Sequence, residues 1–212
     1  MVKALVRRSL LAACLAVAGH VWAGTSAQAL QLSGEIAKMY ADVEMPPPTA
    51  SQMTVCYGFV CQRRFTLAFS DAERAKLAGI MAKGGASAAA ERRAIQEVMV
   101  WFDHRVAREV GTNKRVARAD FRHRDAEHNF DCYDTTRNTV SMLLIMKEWR
   151  LIRHHDISDP RYRGKFFVGQ TPHNTAVLTE RKGGQHWVVD MWTTSFGKLP
   201  DVMPLAKWLD EN

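Results

Sequence analysis

Three residues of this chain have types and spacing that could share one reaction: Cys132, His173 and Asp190. A cysteine attacks through its thiolate, and it needs a base within hydrogen-bond reach and a third group that orients the base. Cys132 follows Asp131, a good helix cap, and precedes an apolar run through Val140, Leu143, Leu144 and Met146 to Trp149. That order predicts a helix with Cys132 in its first turn, where unpaired backbone N–H groups and the helix dipole favour a thiolate. His173 opens one predicted strand and Asp190 lies near the end of the next, with Lys182-Gly183-Gly184 turning between them. Strand, turn and strand would set the two side chains side by side. Asp190 would then hold the imidazole tautomer and stabilise the imidazolium formed against the thiolate.

The elements that must position these residues are readable in outline. Ser70 to Glu73 has the form of a capping box and starts a helix that ends near Gly84-Gly85. Ile95, Met99, Phe102, Val106 and Val110 recur at three- and four-residue steps, which predicts a second helix over 88–110, stopped by Gly111. A polar stretch over 112–129, carrying His123 and His128, reads as a long loop. Strands are expected within 54–69 and at 166–168, 175–180 and 186–191. Helices thus precede an antiparallel sheet, an α+β order. Residues 30–54, with Pro46-Pro47-Pro48, read as a loosely ordered arm or linker.

The ends and the cysteines bound the compartment. Lys3, Arg7 and Arg8 lead an apolar run over 10–21, followed by Ala27-Gln28-Ala29, the order of a secretory signal peptide over residues 1–29. That run is short of the ~20 residues a spanning helix needs, so a periplasmic or secreted protein with no membrane span after cleavage is expected. Losing three basic residues and no acidic one takes the formal charge from +7 to a mildly basic +4. No Lys/Arg stripe suggests nucleic acid. About 180 residues remain, enough for one core. Of the cysteines left, Cys56 and Cys61 bracket Tyr57-Gly58-Phe59-Val60, a natural local disulfide, which leaves Cys132 as a free thiol.

The motif residues are Asp131-Cys132-Tyr133-Asp134, then Pro172-His173-Asn174-Thr175-Ala176-Val177-Leu178, then Trp187-Val188-Val189-Asp190-Met191-Trp192. In that order they resemble the transglutaminase-like branch of the papain-like cysteine hydrolases, and among them the bacterial periplasmic transglutaminase-like cysteine peptidases. The resemblance implies a catalytic domain over 55–212 in which the helix bearing Cys132 packs on an antiparallel sheet bearing His173 and Asp190. It also implies acyl transfer from an amide carbonyl to Cys132, followed by attack of water or an amine. The expected partner is a protein or peptide substrate in the cell envelope.

The Cys132 backbone N–H is the default oxyanion donor, with His128 or Asn129 as candidates for a second. Asp134 is a candidate active-site carboxylate, although an acid in a first helical turn often only offsets the dipole. Trp192 is a candidate for the cleft wall. Some relatives carry an acidic residue right after the cysteine, associated with calcium; Tyr133 stands there, which argues against calcium at Asp131 and Asp134. No His-Glu-x-x-His pattern marks a zinc site, so no metal is expected. Two other readings remain open at this level: an inactive binding or structural module on the same fold, and a transglutaminase using an amine acceptor.

Overall fold

The computed structural model describes residues 29–164, 167 and 171–211. The leader expected over 1–29 lies outside them but for Ala29, and so does the strand expected at 166–168 but for Phe167. In chain order the elements are α1 (Gly34–Ala41), β1 (Gln52–Tyr57), β2 (Arg63–Ala68), α2 (Asp71–Ala82), α3 (Ala88–Val110), α4 (Cys132–Glu148), β3 (His155–Arg163), β4 (His173–Glu180), β5 (His186–Asp190), β6 (Asp201–Pro204) and α5 (Leu205–Asp210). The fold is α+β with antiparallel ladders: a β1–β2 hairpin and a four-stranded sheet in the order β3-β4-β5-β6.

Local chemistry sets the helix ends. Ser70 and Glu73 form a reciprocal capping box on α2. Ser87 caps α3, and Gly111, at φ 73°, ends it in the left-handed conformation that glycine adopts without a Cβ penalty. The Asp131 carboxylate accepts the N–H of Asp134 and caps α4. From Asp134 to Met146 every residue of α4 is buried, so this helix lies inside the molecule. It packs against the hairpin through β1 and against the sheet through β4. Ala176, Leu178 and Val189 share the core that includes α4, whereas Val177 and Val188 pack with Leu205 and Trp208 of α5. The sheet is therefore covered on both faces, as the alternation of its side chains requires.

The loosely ordered arm expected over 30–54 is instead built into the fold. Ser33 caps α1, whose Ile36, Met39 and Tyr40 are buried in the same core as α3 and α4. The Tyr40 hydroxyl hydrogen-bonds Ser141 at 2.7 Å, and the Arg137 guanidinium donates to the Met39 carbonyl at 3.1 Å. No boundary divides this segment from the rest, because its apolar positions complete a core that α4 alone cannot close. The prolines that suggested an irregular arm fall after α1, where they cost no helical hydrogen bond.

Three further elements escape the periodicity rules. Strand β3 is polar and carries Pro160 at a register shift between Ser158 and Arg161. β6 is four residues long and α5 six, too short for a pattern to emerge. Because Met39 is buried, Met39→Ala is expected to lower unfolding stability by about 2–4 kcal/mol. Urea denaturation measures this, and a loss within about 0.5 kcal/mol, the usual surface value, would restore the loose arm.

Candidate active site

The site begins where α4 meets the hairpin. Gly58, Phe59, Val60 and Cys61 have consecutive φ values of 76°, 69°, 48° and 57°. Non-glycine residues avoid that region, at a cost of roughly 1–2 kcal/mol each. Buried carboxylates offset the cost. Asp134 accepts the N–H groups of Phe59 (2.9 Å) and Cys61 (2.7 Å), and Asp131 accepts that of Val60 (2.7 Å). One turn further on, Asn138 takes both the N–H and the C=O of Cys56 at 2.8 Å, in the manner of a neighbouring strand. The Cys56–Cys61 disulfide closes the loop. Asp131, Asp134 and Asn138 stand at helical spacing on one face, so the helix that carries Cys132 is fixed to the hairpin by its own side chains.

At the start of β4, His173 Nε2 lies 2.5 Å from Asp190 Oδ2 at the end of β5. The same oxygen accepts the Trp208 indole N–H at 2.9 Å, and Oδ1 accepts the Trp192 backbone N–H at 3.1 Å. An ionised carboxylate only accepts, so His173 donates through Nε2 and carries its lone pair on Nδ1. Nδ1 has no hydrogen-bond partner among the described residues. The Trp192 ring lies 4.3 Å from the imidazole and the Trp208 ring 5.3 Å away, centroid to centroid.

Cys132 is the free cysteine of the described residues and is buried. The backbone N–H of Asn174, the residue that follows His173, favours the ionised form of the Cys132 thiol. Sulfur and imidazole are not hydrogen-bonded to each other. The expected thiolate is not the resting state. Burial pushes the Cys132 thiol up to about 12, the charges of Asp131 and Asp190 push the same way, and the Asn174 N–H opposes them. Desolvation outweighs the helix dipole because the first turn of α4 is itself covered.

A cleft of about 760 Å³ opens over His173 and Trp192, with Arg118, Arg122, Arg163 and Thr171 among its walls. Of the buried side-chain atoms without a partner among the described residues, His173 Nδ1 alone belongs to a residue lining that cleft. Trp192 lines this cleft. The other candidates are engaged elsewhere. Asn129 is buried, accepts the Val116 N–H at 3.0 Å and donates to the His123 carbonyl at 3.3 Å, which points its side chain away from an oxyanion role. His128 is not part of the cleft wall. Asp134 is inside the hairpin grip rather than facing substrate. Both carboxylates proposed for calcium are occupied by backbone N–H groups, and no group of three or more His, Cys, Asp or Glu residues gathers among the described residues.

One clamp gave no sequence signal. Arg115, buried, makes two bonds to Asp103 of α3 at 2.8 and 2.9 Å and donates to the carbonyls of Met191 and Thr194. Asp103 also accepts the Gly197 N–H at 2.8 Å. The Arg118 N–H binds the Trp192 carbonyl, and the Trp192 indole donates to the Ala119 carbonyl at 2.9 Å. The loop over 112–129 therefore holds the segment that follows Asp190, and with it the wall against His173. Nothing local in the sequence distinguishes Arg115 from the other basic residues.

Comparison with protein-family models, with curated proteins and with solved structures finds no match to this chain.

Asp131 and Asp134 are buried together, and burial with mutual repulsion pushes Asp134 up to about 8. A carboxyl whose pKa is raised by folding binds its proton more tightly when folded. Its contribution is full below the unfolded value of about 4, declines as pH rises, and is gone above about 8. The urea midpoint is therefore expected to be higher at pH 5 than at pH 8.5, and Asp134→Asn to flatten that difference while lowering stability at pH 5 by about 1–3 kcal/mol. An unchanged pH difference in the variant would assign it to other groups.

Proposed function

We propose that this protein is an exported thiol-dependent amide hydrolase, a cysteine peptidase or amidase of the transglutaminase-like kind on a papain-like core. The observation that carries the reading is the His173 ring: Nε2 is bound to Asp190 while Nδ1 is buried and without a partner among the described residues, on a residue that lines the cleft, and Cys132, a free cysteine, opens the helix packed on the same strand. Base, orienting acid and nucleophile come from β4, β5 and α4, elements held together independently of any substrate. The Cys56–Cys61 disulfide and the apolar leader support an oxidising compartment outside the cytoplasm. The mostly polar cleft suits a peptide backbone.

In this reading the thiol rests protonated and His173 works as a general base. As the Cys132 sulfur attacks the substrate carbonyl, its proton passes to Nδ1, and Asp190 stabilises the imidazolium through Nε2–H. The carbonyl oxygen takes up negative charge, and the Cys132 backbone N–H is the nearest donor for it. Collapse expels the amine, which receives its proton from Nδ1, and leaves an acyl thioester on Cys132. Water then gives a proton to Nδ1 and attacks the thioester. The returning proton restores the thiol as the carboxylic acid leaves.

Iodoacetamide alkylation of Cys132, read by peptide mass spectrometry between pH 6 and 9, tests the triad without a known substrate. His173→Ala is expected to slow it roughly a hundredfold near pH 7, the lower range of general-base assistance. Equal rates in the two proteins would leave an unassisted cysteine and favour a binding module. Covalent trapping of acyl donors should likewise vanish in Cys132→Ala with the fold retained.

A further inference from the structure

We propose that Trp208 of the C-terminal helix is a positioning residue for the His173–Asp190 pair, with Arg163 holding it in place. The inference rests on the hydrolase reading above and extends it to a residue outside the motifs. Trp208 is fully buried, and its indole N–H donates to Asp190 Oδ2, the oxygen that also receives His173 Nε2. With the Trp192 N–H on Oδ1, the carboxylate has three donors and a single orientation. An indole N–H can only donate, so the acceptor face it occupies on Asp190 is closed to the imidazole. Trp208 thereby fixes the orientation of the carboxylate oxygen that His173 Nε2 meets.

The indole also shields the pair. Its ring lies 5.3 Å from the imidazole, and it belongs to the apolar cluster with Val177, Val188 and Leu205 on the α5 face of the sheet. Arg163, at the end of β3, lies over the indole with its guanidinium carbon 4.3 Å from the ring centroid. It donates to the Trp208 carbonyl and stands 3.6 Å from the Glu211 carboxylate. Arg163 also lines the cleft, so one side chain joins the C-terminal helix to the cleft wall. A helix of six residues with no side-chain cap has little stability of its own, and these contacts are what fix the indole.

The test replaces only the N–H. Trp208 is exchanged in the full chain for the isosteric benzothienylalanine, in which sulfur stands for the indole nitrogen, and Trp208→Phe is made alongside. Readouts are the ring ¹⁵N shifts of His173, the rate and pH profile of iodoacetamide alkylation at Cys132, and the thermal midpoint. The isostere is expected to leave the midpoint within a few degrees, to displace the ring ¹⁵N shifts of His173 from their wild-type values, and to slow alkylation roughly tenfold with a displaced pH profile. Unchanged ¹⁵N shifts with unchanged rate and profile would overturn the proposal and leave Trp208 as packing. If His173→Ala fails to slow alkylation, the hydrolase reading falls, and the ¹⁵N shifts alone then support or overturn the role of Trp208.

Discussion

The arrangement depends on the grip of α4 on the Gly58–Cys61 turn. A helix buried along nearly its whole length would ordinarily be apolar all round, yet this one sends Asp131, Asp134 and Asn138 into the backbone of the hairpin. Four successive left-handed residues could not persist without such partners, since each non-glycine among them is held against its own preference. Reciprocally, the turn presents three N–H groups that keep two neighbouring carboxyls buried. Removing either side leaves unsatisfied polar groups in the core, a larger loss than the contact itself. The orientation of Cys132 follows, because Asp131 before it and Asp134 two residues after it are bound to the same loop.

The chain around the His173–Asp190 pair is fixed by a second, separate set of bonds. Its anchor is the Asp103–Arg115 pair, which ties α3 to the chain after Asp190. A buried ion pair is weak evidence for stability, because desolvation consumes much of its attraction. Here its value is geometric: every strong donor of Arg115 is spent on one carboxylate or on two carbonyls of a single segment, which leaves that segment one path. The segment bearing Cys132 and the segment after Asp190 are thus held by two separate sets of bonds.

Much of this frame was legible in the sequence because its signals are local. Asp131 before an apolar run gave α4, Ser70 with Glu73 gave α2, and the glycines at 183 and 184 gave the turn that sets His173 against Asp190. The rest is non-local. Asp134 looked like dipole compensation because its partners lie on a hairpin far back in the chain, and burial of the thiol could not be seen from the rule that helix starts favour thiolates. Residues 34–41 have a helical apolar spacing, but the prolines after them drew the reading toward disorder. Trp208 gave no signal either, since what matters is one N–H meeting one oxygen across the sheet.

Burial explains why the unpartnered His173 nitrogen carries more weight than the other unpartnered atoms. Hydroxyls such as those of Thr112 and Thr139 are small, rotate freely, and lie away from the cleft. An imidazole nitrogen is different, because its direction is fixed once the opposite nitrogen is bound. Asp190 binds Nε2, the Trp192 and Trp208 rings lie 4.3 and 5.3 Å from the imidazole, and Nδ1 has no partner among the described residues. A fold that meets three donors with one carboxylate two bonds away has the means to satisfy this atom as well. On the proposed hydrolase reading, this nitrogen is the base that serves a thiol whose ionisation burial opposes.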